Sequence, residues 1–167
     1  MDINILPRHI AILFRMNPHN ALKALQLELP ASPKPQGWYV PVVRIGSLVF
    51  VSGQLPMGNG EVVFRGVVGG DLSLEVGREA AKLCLLNLLA ALEGNGIPLN
   101  SVVRVVKLTG YVQSSPEFHD QPKVLNAASE LLTEIFGEAG KHARAAVGVN
   151  ALPLNATVEI EAIFEVI

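Results

Sequence analysis

A chain of 167 residues with net charge −2, 50% hydrophobic and 17% charged, has room for one domain with a real core and not for two of ordinary size. Its 13 lysines and arginines are scattered, so there is no basic footprint for phosphates, and nucleic acid is not an expected partner. The lone cysteine, Cys84, excludes an internal disulfide and suits a reducing cytoplasm.

The charged fraction lies below the roughly 25% usual for soluble domains, which suggests that part of the surface is hidden in an oligomer. The stretch MDINILPRHIAILFRM is apolar in flavour but is interrupted by Pro7, Arg8, His9 and Arg15 and lacks a small-residue cleavage site. Residues 1–15 are expected to be an appendage. No run of about 18 apolar residues predicts a membrane span. MNPHNALKALQLELP predicts a short helix, with an Asn cap, Leu22, Leu25 and Leu29 at helical spacing and a stop at Pro30. The expected organisation is an N-terminal extension and short helix over 1–34, then one domain over 35–167.

ASPKPQGWYVP cannot be a central strand or a helix, because its prolines lack the N–H that either needs. VVRIG and LVFVSGQLP, split by Gly46 and Ser47, predict a hairpin, and EVVFRGVVG a third strand after an MGNGE turn. Ser73 caps a predicted helix to Gly94, with Val76, Ala80, Leu83, Leu88 and Leu92 at helical spacing. SVVRVVKLTGYV predicts a long central strand. A second helix follows, with Val124, Ala128, Leu131, Leu132 and Ile135 as its core stripe and Gly137 as its stop. HARAAVGVNAL and ATVEIEAIFEVI, joined by LPLN, are the last strands. The order β-β-β-α-β-α-β-β gives an α+β fold, a mixed sheet with two helices packed on one face.

In the last strand Val158, Ile160, Ala162 and Phe164 share one side, and Glu159, Glu161, Ile163 and Glu165 the other. If the last two strands pair through LPLN, Arg144 stands with these glutamates on the face away from the helices. One reading is then a cross-strand ion pair worth about 0.2–1 kcal/mol. The other is functional: Arg144 offers its planar fork to a substrate carboxylate and a glutamate handles protons. His9, His19, His119 and His142 lack metal-ligand spacing, so structural or solvent-exposed roles are expected, although His142 can share the face of Arg144 and tune a site there. Cys84 is expected to be an inert core thiol, and Lys107 alternates with Thr109 and Tyr111 along one strand face.

The segments WYVPVVRIGSLVFVSGQLP, VRVVKLTGYV and HARAAVGVNALPLNATVEIEAI resemble the YjgF/RidA family, also called L-PSP endoribonuclease-like, over about Pro35 to Ile167. The resemblance implies a chorismate-mutase-like fold and a homotrimer with an inner barrel-like surface and three clefts between subunits. It further implies hydrolysis of reactive enamines and imines such as 2-aminoacrylate to a 2-oxo acid and ammonia, with a small-molecule carboxylate as substrate and neither metal nor organic cofactor. By resemblance Arg144 grips the substrate carboxylate and Glu159 stands near the attacking water, with Glu161 second to it. Tyr39 roofs the cleft, Ser52 and Gly53 border it, and Asn126 lies close by. Ala146 replaces a frequent cysteine whose position lends backbone contacts. A non-catalytic carboxylate sensor on the same trimer is the alternative, and RNA cleavage, carried by the family's other name, a weaker third.

Overall fold

The computed structural model describes residues 17–32 and 37–167. The appendage expected at residues 1–15, and the boundary expected at 34/35, lie outside the described residues. Helix α1, Pro18–Ala24, begins as predicted, with Asn17 accepting the His19 N–H at 2.9 Å. It ends well before Pro30, because Gln26 takes a left-handed φ of 57°. Leu22 reaches the core from the helix, and Leu27 and Leu29 pack against it from the extended segment that follows.

Strands β1 (Val42–Ile45) and β2 (Leu48–Gln54) form the predicted hairpin across Gly46. The third strand is shorter than its β-branched run suggests. Only Glu61–Val62 (β4) pairs, with Met57–Gly58 (β3), around Asn59 and Gly60, both at positive φ. Beyond it Arg65 and Val68 make isolated bridges, since Gly66 and Gly69 turn the chain at positive φ. Helix α2, Leu74–Gly94, is capped by Ser73, whose hydroxyl accepts the Val76 N–H. Helix α3, Gln121–Phe136, stops at Gly137 with φ 61°. The remaining strands are β5 (Val102–Gln113), β6 (Ala143–Val149) and β7 (Val158–Val166).

The main sheet has five strands in the order β1-β2-β7-β5-β6. Strands β5 and β6 are parallel and the other pairs antiparallel, so the sheet is mixed, as expected. Two features differ from the sequence expectation. The middle strand is β7, not β5, and β6 and β7 are not neighbours, because β5 lies between them. Parallel strands need a long crossover, and α3 supplies it between β5 and β6. The short turn after β6 must then carry the chain past β5, with Leu154 and Asn155 at positive φ.

Helices α2 and α3 cover one face. Phe164, Ile160, Val49 and Leu108 of the sheet and Leu85, Leu88, Leu92, Leu132 and Ile135 of the helices are fully buried there, each contributing about 1.5–3 kcal/mol. The opposite face carries exposed Val43, Ile45, Leu48, Phe50 and Val147. Among the described residues no helix is long and apolar enough to cross a membrane.

Candidate functional site

Register decides which residues can meet. Arg144 pairs with Leu108, and Leu108 with Ala162, so all three point to one side. Leu108 and Ala162 are buried under the helices, which puts Arg144 on the helix side, at the β6 edge. Glu161 pairs with Thr109, which pairs with Ala145, and Glu159 pairs with Tyr111, which pairs with Val147. Both glutamates therefore point to the open side. The expectation that Arg144 and the glutamates share a face is wrong, because it assumed that β6 pairs with β7.

Among the described residues no carboxylate holds Arg144. Its Nη1 donates to Asn126 Oδ1 at 2.9 Å and to Ser129 Oγ at 3.1 Å, both on α3. Those bonds use both Nη1 hydrogens, and the Nε–H and Nη2–H groups have no acceptor among the described residues. They form a two-pronged edge of the kind that takes a carboxylate side-on. Ser129 Oγ also lies 3.1 Å from His142 Nε2, while His142 Nδ1 is 2.6 Å from the Gly140 carbonyl. Partial burial lowers the His142 pKa and so does the Arg144 charge, against the Gly140 hydrogen bond, which raises it. Ala146 lies on the same side as Arg144, two residues along β6, and packs against the core.

The open side gathers a second set. Burial, and then the neighbouring Glu161 charge, push the Glu159 carboxyl above the usual carboxylate range. Glu161 accepts the Tyr111 hydroxyl at 3.4 Å, and burial raises the phenol pKa together with the charges of Glu161 and Glu159. The Glu159 carboxylate lies directly on the Gly53 backbone. A Cβ there would collide with it, so the glycine is required by close approach. The β2–β7 register shifts between Val51 and Gln54, and this irregularity sets Gly53 under Glu159.

Tyr39 and Gly53 line a cavity of about 500 Å³ with Pro41, Leu55, Asn87 and Leu154. Ser52 lines another, of about 230 Å³, with Lys107, Thr109 and Glu161. The Ser52 hydroxyl donates to the Val40 carbonyl at 2.9 Å, and its N–H to the Pro41 carbonyl at 2.9 Å, so this serine ties the lead-in segment to β2. The sequence-predicted residues thus fall into two sets. Arg144, Asn126 and Ala146 belong to the helix-side edge, whereas Glu159, Glu161, Ser52, Gly53 and Tyr39 lie along the open face and its rim.

Sequence reasoning missed Ser129 and Tyr111 as partners. Ser129 stands one helical turn after Asn126, a spacing that places both on one face of α3; that signal was available. Cys84 is buried, as expected, and its Sγ lies 3.3 Å from the Val158 carbonyl. Burial holds its thiol pKa well up, with a contribution from Glu159, which leaves it unreactive.

The family described as "YjgF/chorismate_mutase-like, putative endoribonuclease" matches residues 19–166. Protein TCP17 of Trypanosoma cruzi is 41% identical over 145 residues, which span 86% of this chain and 91% of that protein. A 2-iminobutanoate/2-iminopropanoate deaminase of Dermatophagoides farinae is 31% identical over 137 residues, 82% of this chain and 92% of that one. The crystal structure of Atu1372 from Agrobacterium tumefaciens, a protein with unknown function, superposes with a TM-score of 0.82 at 44% identity, covering 90% of this chain and 93% of that one.

Proposed function

The chain belongs to the YjgF/RidA family, and from that premise we propose that it hydrolyses reactive enamine and imine intermediates to 2-oxo acids and ammonia. The substrates are of the 2-aminoacrylate type, and each substrate carboxylate lies on Arg144 in a cleft between the subunits of a homotrimer. One observation carries the reading: among the described residues the Arg144 guanidinium is fastened to α3 through Nη1, and the other edge of its fork meets no acceptor. The relative named as an imine deaminase acts on 2-imino acids, whose carboxylate is the group such a fork recognises.

The chemistry asks little of the protein. The enamine tautomerises to the imine, water adds to the C=N carbon, and the resulting carbinolamine expels ammonia to leave the 2-oxo acid. A carboxyl pushed up towards neutrality can take a proton from water and return it to the departing nitrogen. Glu159 has that environment. It lies across the sheet from Arg144, so the cleft takes the arginine from one subunit and the glutamate from the next. The exposed apolar row Val43, Ile45, Leu48 and Phe50 supports a partner over the open face, since monomers seldom leave such a patch uncovered.

The test couples a pyridoxal-phosphate dehydratase, which releases 2-aminoacrylate or 2-iminobutanoate, to optical detection of hydrolysis. Acceleration of imine decay is the expected result. A carboxylate sensor would bind 2-oxo acids and leave that decay unchanged, and this outcome would overturn the enzymatic reading. RNA cleavage draws no support from a net charge of −2.

A further inference from the structure

We propose that Ser129 and His142 are positioning residues for Arg144, linked in a one-directional hydrogen-bond relay that fixes which edge of the guanidinium meets a ligand. The inference rests on the reading of Arg144 as a carboxylate anchor and adds to it how the anchor is held.

The direction of each bond follows from the one before it. The Gly140 carbonyl can only accept, and His142 Nδ1 lies 2.6 Å from it, so Nδ1 carries the hydrogen. In a neutral imidazole Nε2 is then bare and can only accept. Ser129 Oγ, 3.1 Å from Nε2, must therefore donate its single hydrogen there. Its lone pairs are left for Arg144, whose Nη1 donates at 3.1 Å. Asn126 Oδ1 takes the second Nη1 hydrogen at 2.9 Å.

Two acceptors on one nitrogen resist rotation about the Nε–Cζ bond, and the Nε–H and Nη2–H edge stays turned away from α3. Around His142 stand Ser129 from the helix, the Gly140 carbonyl from the preceding turn and Arg144 from its own strand. Arg144 is the charge that acts on the ring, and together with burial it keeps the ring neutral, as the relay requires.

The experiment uses the full chain, labelled with ¹⁵N. Without ligand, His142 is expected as the Nδ1–H tautomer, and Arg144 should show separate Nη1 and Nη2 resonances from hindered rotation. In Ser129→Ala those two resonances should merge. Calorimetric titration with 2-oxobutanoate should then give a Kd weakened about three- to tenfold in both Ser129→Ala and His142→Ala, the loss of one hydrogen bond. In the coupled assay KM should follow Kd, with kcat changed by less than about twofold, as for an interaction made equally in ground and transition states. His142→Gln should recover most of the affinity, because its Oε1 can accept the Ser129 hydroxyl where Nε2 did. The double variant Ser129→Ala/His142→Ala should bind no more weakly than Ser129→Ala alone.

An Nε2–H tautomer, additive losses, or a His142→Gln variant as weak as His142→Ala would each overturn the relay. If 2-oxobutanoate fails to bind the unaltered chain while the tautomer and the serine-dependent guanidinium restraint are present, the substrate reading fails and the relay stands. If the ligand binds but Arg144 rotates freely, the relay fails and the substrate reading stands.

Discussion

Arg144 and Glu159 are opposites in how the fold treats them. The arginine is exposed at a sheet edge, yet two bonds to α3 hold its geometry. The glutamate is half-buried in the middle strand, and the fold offers it mostly desolvation and a like-charged neighbour. One group is pre-organised by its partners; the other has its pKa raised by burial and a like charge. A binding group gains from the first treatment because less freedom is lost when the ligand arrives. A proton-transfer group gains from the second because its pKa moves towards the working pH.

The largest expected effect follows from removing the organised group. Arg144→Ala should lower kcat/KM for 2-iminobutanoate by at least about a hundredfold, the cost of leaving a desolvated carboxylate without its partner. Stability should change by no more than ~1 kcal/mol, because the lost bonds go to uncharged groups at an exposed edge. Coupled kinetics and thermal unfolding of one preparation check both. Near-normal rates would remove Arg144 from the site.

Glu159→Gln breaks the comparison from the other side, and its two readouts should move in opposite directions. With Glu159 as the proposed proton carrier, its loss should cost about 10²-fold in kcat. Stability at neutral pH should rise. A carboxyl with a raised folded pKa holds its proton longer in the folded than in the unfolded chain, so stability falls as pH climbs through the interval between the two values. The amide removes that penalty. The gain in Tm should be full above the raised pKa and vanish below the ordinary carboxylate range. A uniform Tm shift at every pH would mean that Glu159 is not the group being desolvated.

The same contrast explains how far the sequence could be read. Alternation along VEIEAIFE assigned Val158 to Glu165 of β7 to their correct sides, since period two survives any choice of neighbour. The caps at Asn17 and Ser73 and the stop at Gly137 were also legible, being local chemistry. What local pattern could not supply was adjacency. A four-residue LPLN between two strands looks like a hairpin, and only the crossover through α3 puts β5 between them and turns Arg144 away from the glutamates. Asn126 was identified by resemblance and does touch Arg144. Ser129 escaped because a serine inside a helix has too many ordinary roles to stand out.

The smallest expected effect decides between the two glutamates. Tyr111 donates its hydroxyl to Glu161 at 3.4 Å, a length at which a hydrogen bond is weak. The raised phenol pKa keeps that donor protonated well beyond neutrality, so the bond persists across the pH range of an assay. Tyr111→Phe removes it from Glu161 and leaves the Glu159 contact with Gly53 in place. With Glu159 as the proton carrier, kcat should change by less than about twofold, and stability by about 0.5 kcal/mol. With Glu161 as the carrier, the same substitution would free that carboxylate from the Tyr111 hydroxyl and cut kcat by about tenfold or more. A steady-state comparison of the two proteins at several pH values therefore ranks the carboxylates, whichever way it falls.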